Sequence, residues 1–404
     1  MIIRGRLLLD PREKPMHGWV GIDAGRIAEI GSGPPPGSPR LDGDDLLIAP
    51  GFIDAHTHLP QFDLIGCDGL DLLGWLREVV YPAEIRWADC TEAREQARRA
   101  FRRLMASGTL GLAGFLTSHQ HGAEAVRQAH AERPLRSVVG ITLMDREAPA
   151  DLLNRNLPNS LVDSARLTWS VNPRFAISCS ERLLQRAADM AKRESRCIQT
   201  HVAETISELA RTTELFPDDR GAIALLDRFG LLTPRTLLAH GVHLDGDDWQ
   251  LIAERQSIIV HCPSANTFLQ AGTFDIATSR RHGVRLALGS DVAAGPDIAM
   301  PRVARAMIEV AKFRRMSIDR TAVVPSPAEA WSMITRGNAE ALSWRDAGRI
   351  EPGAAADLLV LQPDVKFDQH LMGRLIYGWR DEWIRHVVLD GALHSSESWR
   401  ISAD

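Results

Sequence analysis

Between Phe52 and Gly289, eight short apolar runs alternate with stretches of helical periodicity, and this alternation narrows the fold more than any other feature of the chain. The runs cover 52–56, 109–115, 138–143, 167–172, 197–201, 236–240, 257–261 and 284–289. Near-continuous apolar runs of this length read as strands covered on both faces. Parallel neighbours need a long crossover, so strands interleaved with helices build a parallel sheet. Eight such units predict an α/β fold, a (β/α)8 TIM barrel over residues 50–342. The stretch 180–194 shows the helical period: Leu183, Leu184, Ala187, Met190 and Ala191 share one stripe, with Ser180 placed to cap it.

The two ends of the chain read differently. Residues 1–49 hold short strands, with Asp23-Ala-Gly-Arg26 as a hairpin turn in which Gly25 is free to take positive φ. Gly33-Pro-Pro-Pro-Gly37 breaks regular structure and marks an exposed loop. Residues 343–404 return to strand character, with Ile350–Leu361 as a turn feeding a strand and Ile384–Leu389 leading into an Asp390-Gly391 hairpin. Both ends are predicted to pair into one small β-sandwich domain, 1–49 supplying its N-terminal part and 343–404 its C-terminal part.

Charge and composition exclude several classes of function. A net charge of −5, spread without basic blocks, argues against a nucleic-acid partner. No window approaches the ~20 apolar residues that cross a bilayer. The N-terminus lacks the charged-then-apolar-then-small order of a signal peptide, and five cysteines without a repeating spacing fit reduced thiols. The expectation is a cytoplasmic protein.

Four of the runs end in residues that ligate metals. His56-Thr57-His58 closes the first, and on an extended segment residues two apart share a face, so both imidazoles can meet one ion. His201, His240 and Asp291 close the fifth, sixth and eighth. Taken singly, His201 and His240 read as satisfied core histidines and Asp291 as a helix cap. Four such endings converge on one barrel mouth, where active sites sit. Three histidine nitrogens and a carboxylate suit Zn²⁺, and the same set accepts Fe²⁺ or Mn²⁺. A metal with open positions brings the pKa of bound water to roughly 7. Glu204, three residues beyond His201, is the candidate proton carrier, against an alternative as an ordinary first-turn helix acid. His119 and His121 end the second run and His261 the seventh, as candidates for the site's surroundings.

These residues resemble a known family. Pro50-Gly-Phe-Ile-Asp-Ala-His-Thr-His58, His201, His240, Gly289-Ser-Asp291 and Ala356-Asp-Leu-Leu-Val360 are similar to the amidohydrolase superfamily across nearly the whole chain. Within it, the guanine deaminase family is resembled by Pro60-Gln61, Asp71-Leu-Leu-Gly-Trp-Leu76, Tyr81-Pro-Ala-Glu-Ile-Arg86, Leu143-Met-Asp145, Pro173-Arg-Phe175 and His261-Cys-Pro-Ser-Ala-Asn266. The resemblance implies a (β/α)8 barrel with a terminal β-sandwich, one Zn²⁺ per subunit (Fe²⁺ being the other option) and a homodimer. It implies His56, His58, His201 and Asp291 as metal ligands. Gln61, Arg174, Phe175 and Glu204 would bind the purine. Glu204 and Asp291 would move protons, with His240 steering the nucleophile. The implied reaction is deamination of guanine to xanthine and ammonia by a metal-activated hydroxide. The chain departs from the family pattern at Ala203-Glu-Thr205, where Ser-Glu-Asn is usual, at Val292-Ala-Ala-Gly295, and at Leu110-Gly-Leu-Ala-Gly. Those departures keep a second substrate class open: 8-oxoguanine, another aminopurine, a pterin or a triazine.

Overall fold

In a computed structural model of the chain, residues 1–154, 157 and 161–396 are described, so 397–404 of the expected C-terminal segment lie outside the described residues. Eight parallel strands follow one another around a barrel: Phe52–His58, Thr109–Phe115, Arg136–Gly140, Leu167–Pro173, Cys197–Val202, Thr236–His240, Ile258–His261 and Arg285–Leu288. The third apolar run splits, because Thr142–Leu143 forms a separate short pairing with the end of the fourth strand. The helix expected at 180–194 spans Glu181–Glu194, with the Ser180 hydroxyl accepting from Leu183 N.

Side chains and strand-end backbone close the seam between the first and eighth strands. Asp291 N donates to His56 O at 2.8 Å and His58 N to Val292 O at 3.1 Å. Lower down, the Asn338 amide accepts from Leu288 N at 2.8 Å and donates to Ile53 O and Leu288 O at 2.6 and 2.8 Å. Gly289 is required here, since a Cβ would stand 2.5 Å from that of His56.

The termini meet in a second, mixed sheet of seven strands. Its order is Ala392–Ser395, Ile384–Leu389, Leu358–Leu361, Leu41–Pro50, Ile2–Leu7, Met16–Asp23 and Arg26–Gly31. Leu358–Leu361 runs antiparallel to the end of Leu41–Pro50, so the two ends of the chain share one ladder. Ile3, Leu7, Val20, Ile48, Val360 and Val388 pack as this sheet's own buried cluster. The hairpin at Asp23-Ala-Gly-Arg26 is present, with Ala24 and Gly25 at φ 45° and 77°.

The fourth strand of this sheet ends at Pro50, and the first barrel strand begins two residues later. That leaves no slack before His56. Across the junction, Arg166 Nη2 meets both oxygens of Asp357 at 2.9 Å, and Gly51 N donates to Asp357 O at 2.9 Å. Among the described residues, no helix is long and apolar enough to cross a membrane.

Candidate metal centre and base-binding cleft

The first barrel strand is buried along its whole length, and its alternation aims His56 and His58 to one side. His58 Nε2 stands 3.2 Å from His201 Nε2 and 3.1 Å from Asp291 Oδ1, and His56 Nε2 stands 3.2 Å from the same oxygen. One ligand atom each from His56, His58, His201 and Asp291 lies within 4.8 Å of the others. The four predicted ligands therefore come together.

Their chemistry fits a metal ion. His201 Nδ1 donates to Arg174 O at 2.5 Å, which leaves Nε2 with its lone pair toward the cluster. His56 Nε2 is buried with no hydrogen-bond partner, an orphan that a cation would satisfy. Burial lowers His58 to about 4 and, with the neighbouring imidazoles, takes His201 well below its usual value. Both are thus neutral at pH 7, the form that ligates. Asp291 takes φ 49° and His240 φ 72°, and these left-handed turns at strand ends aim the side chains across the mouth.

Glu204 and His240 stand beside this cluster. His240 Nδ1 donates to Asn266 Oδ1 at 2.9 Å, and its Nε2 lies 3.5 Å from Glu204 Oε2 and 3.8 Å from Asp291 Oδ2. Glu204 precedes the helix rather than opening it: Ile206–Leu215 is capped by Thr205 in a reciprocal box with Glu208. Glu208 also accepts from Glu204 N at 2.6 Å, fixing the backbone that presents the acid. Burial, then the charge of Asp291, pushes Glu204 well above the usual carboxylate range. Asp291 moves the other way: burial would raise it, but contacts with His56 and His58 hold it well below that range. Two neighbouring carboxyl groups are driven apart, one toward its protonated form and one toward its ionised form.

The cleft over the cluster holds about 390 Å³ of empty space, mouth included, and Gln61, Arg174, Phe175 and Glu204 all line it. Sequence reasoning quoted Asp71–Leu76 for its resemblance alone and gave no residue a role in covering the cleft. Leu72, Trp75 and Leu76 close one side and Leu269 another, all buried. The first three belong to the Asp71–Leu76 stretch, where Asp71 caps the helix Leu72–Trp75 through Gly74 N. Glu84, also missed, is fully buried between Gln61 and Arg174. Asp54 was missed as well: it accepts from Ser290 N and Oγ at 2.9 and 2.5 Å, tying Asp291's loop to the first strand. Its signal was the apolar run itself, which tolerates a carboxylate only with partners.

The other candidate histidines lie elsewhere. His119 Nδ1 bonds Thr117 Oγ1 at 3.0 Å, and the His121 ring bonds Trp87 O. His261 stacks on Phe274 with centroids 4.7 Å apart, beside the site rather than in it.

Comparison with known proteins agrees with this geometry. A model of the amidohydrolase family matches residues 47–393. The guanine deaminase of Escherichia coli (strain K12) is 30% identical over 78% of this chain and 73% of its own length. That of Rattus norvegicus is 28% identical over 78% and 72%. The crystal structure of guanine deaminase from Bradyrhizobium japonicum superposes with a TM-score of 0.89 at 25% identity, covering 98% of this chain and 99% of that one.

Proposed function

The chain belongs to the amidohydrolase family, and from that premise we propose that it is a metal-dependent hydrolase that deaminates guanine to xanthine and ammonia. One observation carries this furthest. A cleft has an amide, a guanidinium and a phenyl ring among its lining groups, together with members of a three-histidine, one-carboxylate cluster. The guanine deaminases among its relatives support the same substrate.

On this reading His56, His58, His201 and Asp291 would hold the ion, for which we propose Zn²⁺. When bound, such an ion supplies Lewis acidity and lowers the pKa of a water molecule to about 7.

The remaining chemistry is the protein's own. Arg174 donates to acceptors such as O6 or N7, and Gln61 both donates and accepts. Phe175 offers a flat apolar face to the ring. Glu204, whose acid form burial and the charge of Asp291 favour, delivers a proton to a ring nitrogen next to the amine-bearing carbon; left ionised, it takes the proton of the new hydroxyl and passes it to the departing amine, which leaves as ammonia. Asp291, ionised, receives the proton that the attacking water gives up. His240, its tautomer set by Asn266, presents Nε2 to the water or to the tetrahedral oxygen. Buried Leu72, Trp75, Leu76 and Leu269 keep bulk water out while this happens.

We further propose a homodimer in the cytoplasm, acting in purine breakdown, with a barrel at 50–342 and a terminal β-domain from 1–49 and 343–404.

Ammonia release from a panel of guanine, 8-oxoguanine, adenine, cytosine, isocytosine, a pterin and melamine tests the function, with metal content recorded. Xanthine formed from guanine ahead of every other substrate is the expected result. Silence on guanine from metal-loaded protein would reject it.

A further inference from the structure

Glu84 stands at the centre of the base-binding wall without touching the cleft. It is fully buried on the short helix Tyr81–Ile85. Its Oε2 accepts from Arg174 Nη1 at 2.7 Å, and its Oε1 accepts from Arg174 Nη2 at 3.1 Å and Gln61 Nε2 at 3.0 Å. One turn earlier on the same helix, the Tyr81 ring centre lies 5.4 Å from the Arg174 guanidinium carbon. Gln61 Oε1 in turn accepts from Ala293 N at 3.3 Å.

Three consequences follow from these contacts. An ionised carboxylate only accepts, so Gln61 must turn its NH2 toward Glu84, and the direction of its amide is set. The two-pronged contact fixes the plane of the guanidinium and takes up two of its five N–H donors. The charges of Arg174 and Glu84 cancel, so the wall offers donors without net positive charge.

Fold stability does not account for such a trio. Taking a carboxylate and a guanidinium out of water is costly, and well-packed apolar residues often stabilise a core equally well or better. Its position behind two residues that face the cleft gives it another role. Resting on the reading of the site as a guanine deaminase, we propose that Glu84 is a positioning residue for base recognition. It holds Gln61 and Arg174 as one net-neutral hydrogen-bonding wall, which favours a neutral purine over its anion.

The test uses the metal-loaded enzyme with guanine as substrate and xanthine as inhibitor, since xanthine loses a ring proton near neutral pH. Glu84→Gln removes the charge and one acceptor. KM for guanine should rise about 10- to 100-fold with metal content unchanged and kcat altered less. The variant should also bind xanthine better relative to wild type as pH rises through xanthine's own ionisation. Glu84→Asp keeps the buried charge compensated, so it is the safer variant to fold. It is one methylene short of reaching both partners, so KM should rise while the pH trend for xanthine stays that of wild type. Wild-type KM in both variants, or one xanthine pH trend for all three proteins, would overturn the proposal. A wild-type enzyme inert on guanine would instead reject the functional reading beneath it.

Discussion

Glu204 shows how much one residue's surroundings decide. It is an acid held between a buried histidine and an ionised aspartate, with Oε1 unpartnered and its backbone N–H pinned by Glu208. Burial and the charge of Asp291 favour the protonated form of a carboxyl placed there, the form a general acid needs. Glu204→Gln keeps the size and removes the titratable proton. It should retain metal and lose about 10²- to 10⁴-fold in kcat. Metal analysis beside steady-state kinetics checks this; near-wild-type turnover would remove the residue from proton transfer. The asymmetry with Asp291 also explains why two carboxyl groups are present, since one group cannot be ready to give and to take a proton at once.

At the scale of elements, the site depends on strand ends that stop being strands. His240, Asp291 and Ala203 all leave extended geometry for positive φ, at 72°, 49° and 48°. Regular strands would carry their side chains past the mouth rather than across it. Such strain persists only where neighbours hold it, and Asn338 supports the seam beneath His56 and Asp291. Asn338→Ala leaves Leu288 N and Ile53 O without that partner. We expect a loss of about 3 kcal/mol in urea unfolding, together with weaker metal retention. A variant that loses stability but holds metal as wild type does would show that the seam and the cluster are independent.

For the whole molecule, the terminal sheet and the barrel are joined by polar contacts as well as packing. Arg166, whose side chain is only 10% exposed, grips Asp357, 9% exposed, and also donates to Pro134 O. Asp357 accepts further from Asp390 N at 2.9 Å, so one carboxylate gathers the barrel and two parts of the C-terminal chain. Arg166→Met should lower stability by about 2–3 kcal/mol after partial solvation is allowed for, with kcat and KM for guanine unchanged. A shift in the urea midpoint without a kinetic change is the expected signature. Altered kinetics would mean that the terminal sheet sets the barrel mouth as well as supporting it.

Local pattern was enough for the barrel, the paired termini and the four strand ends whose histidines and aspartate gather at one mouth. Each of these depends on short-range periodicity: strand side chains alternate and helical ones recur every three to four residues, so apolar runs and their last residues are legible in one dimension. The helix at 180–194 and the turn at Asp23–Arg26 were legible for the same reason. Other features waited for the fold. Strand alternation alone does not separate the histidines at 119 and 121 from those at 56 and 58, because tertiary position decides whether an HxH pair meets further ligands or a loop carbonyl. Glu84, Gln61 and Arg174 are up to 113 residues apart along the chain (174 − 61), and their union in one buried hydrogen-bonded unit is a property of three elements packed together. The opposite pKa shifts of Glu204 and Asp291 are likewise tertiary: burial and the charge of Asp291 raise the first, while His56 and His58 hold the second down against burial. A sequence names which groups can titrate or ligate, but distance and desolvation, which only the tertiary structure supplies, determine what those groups do.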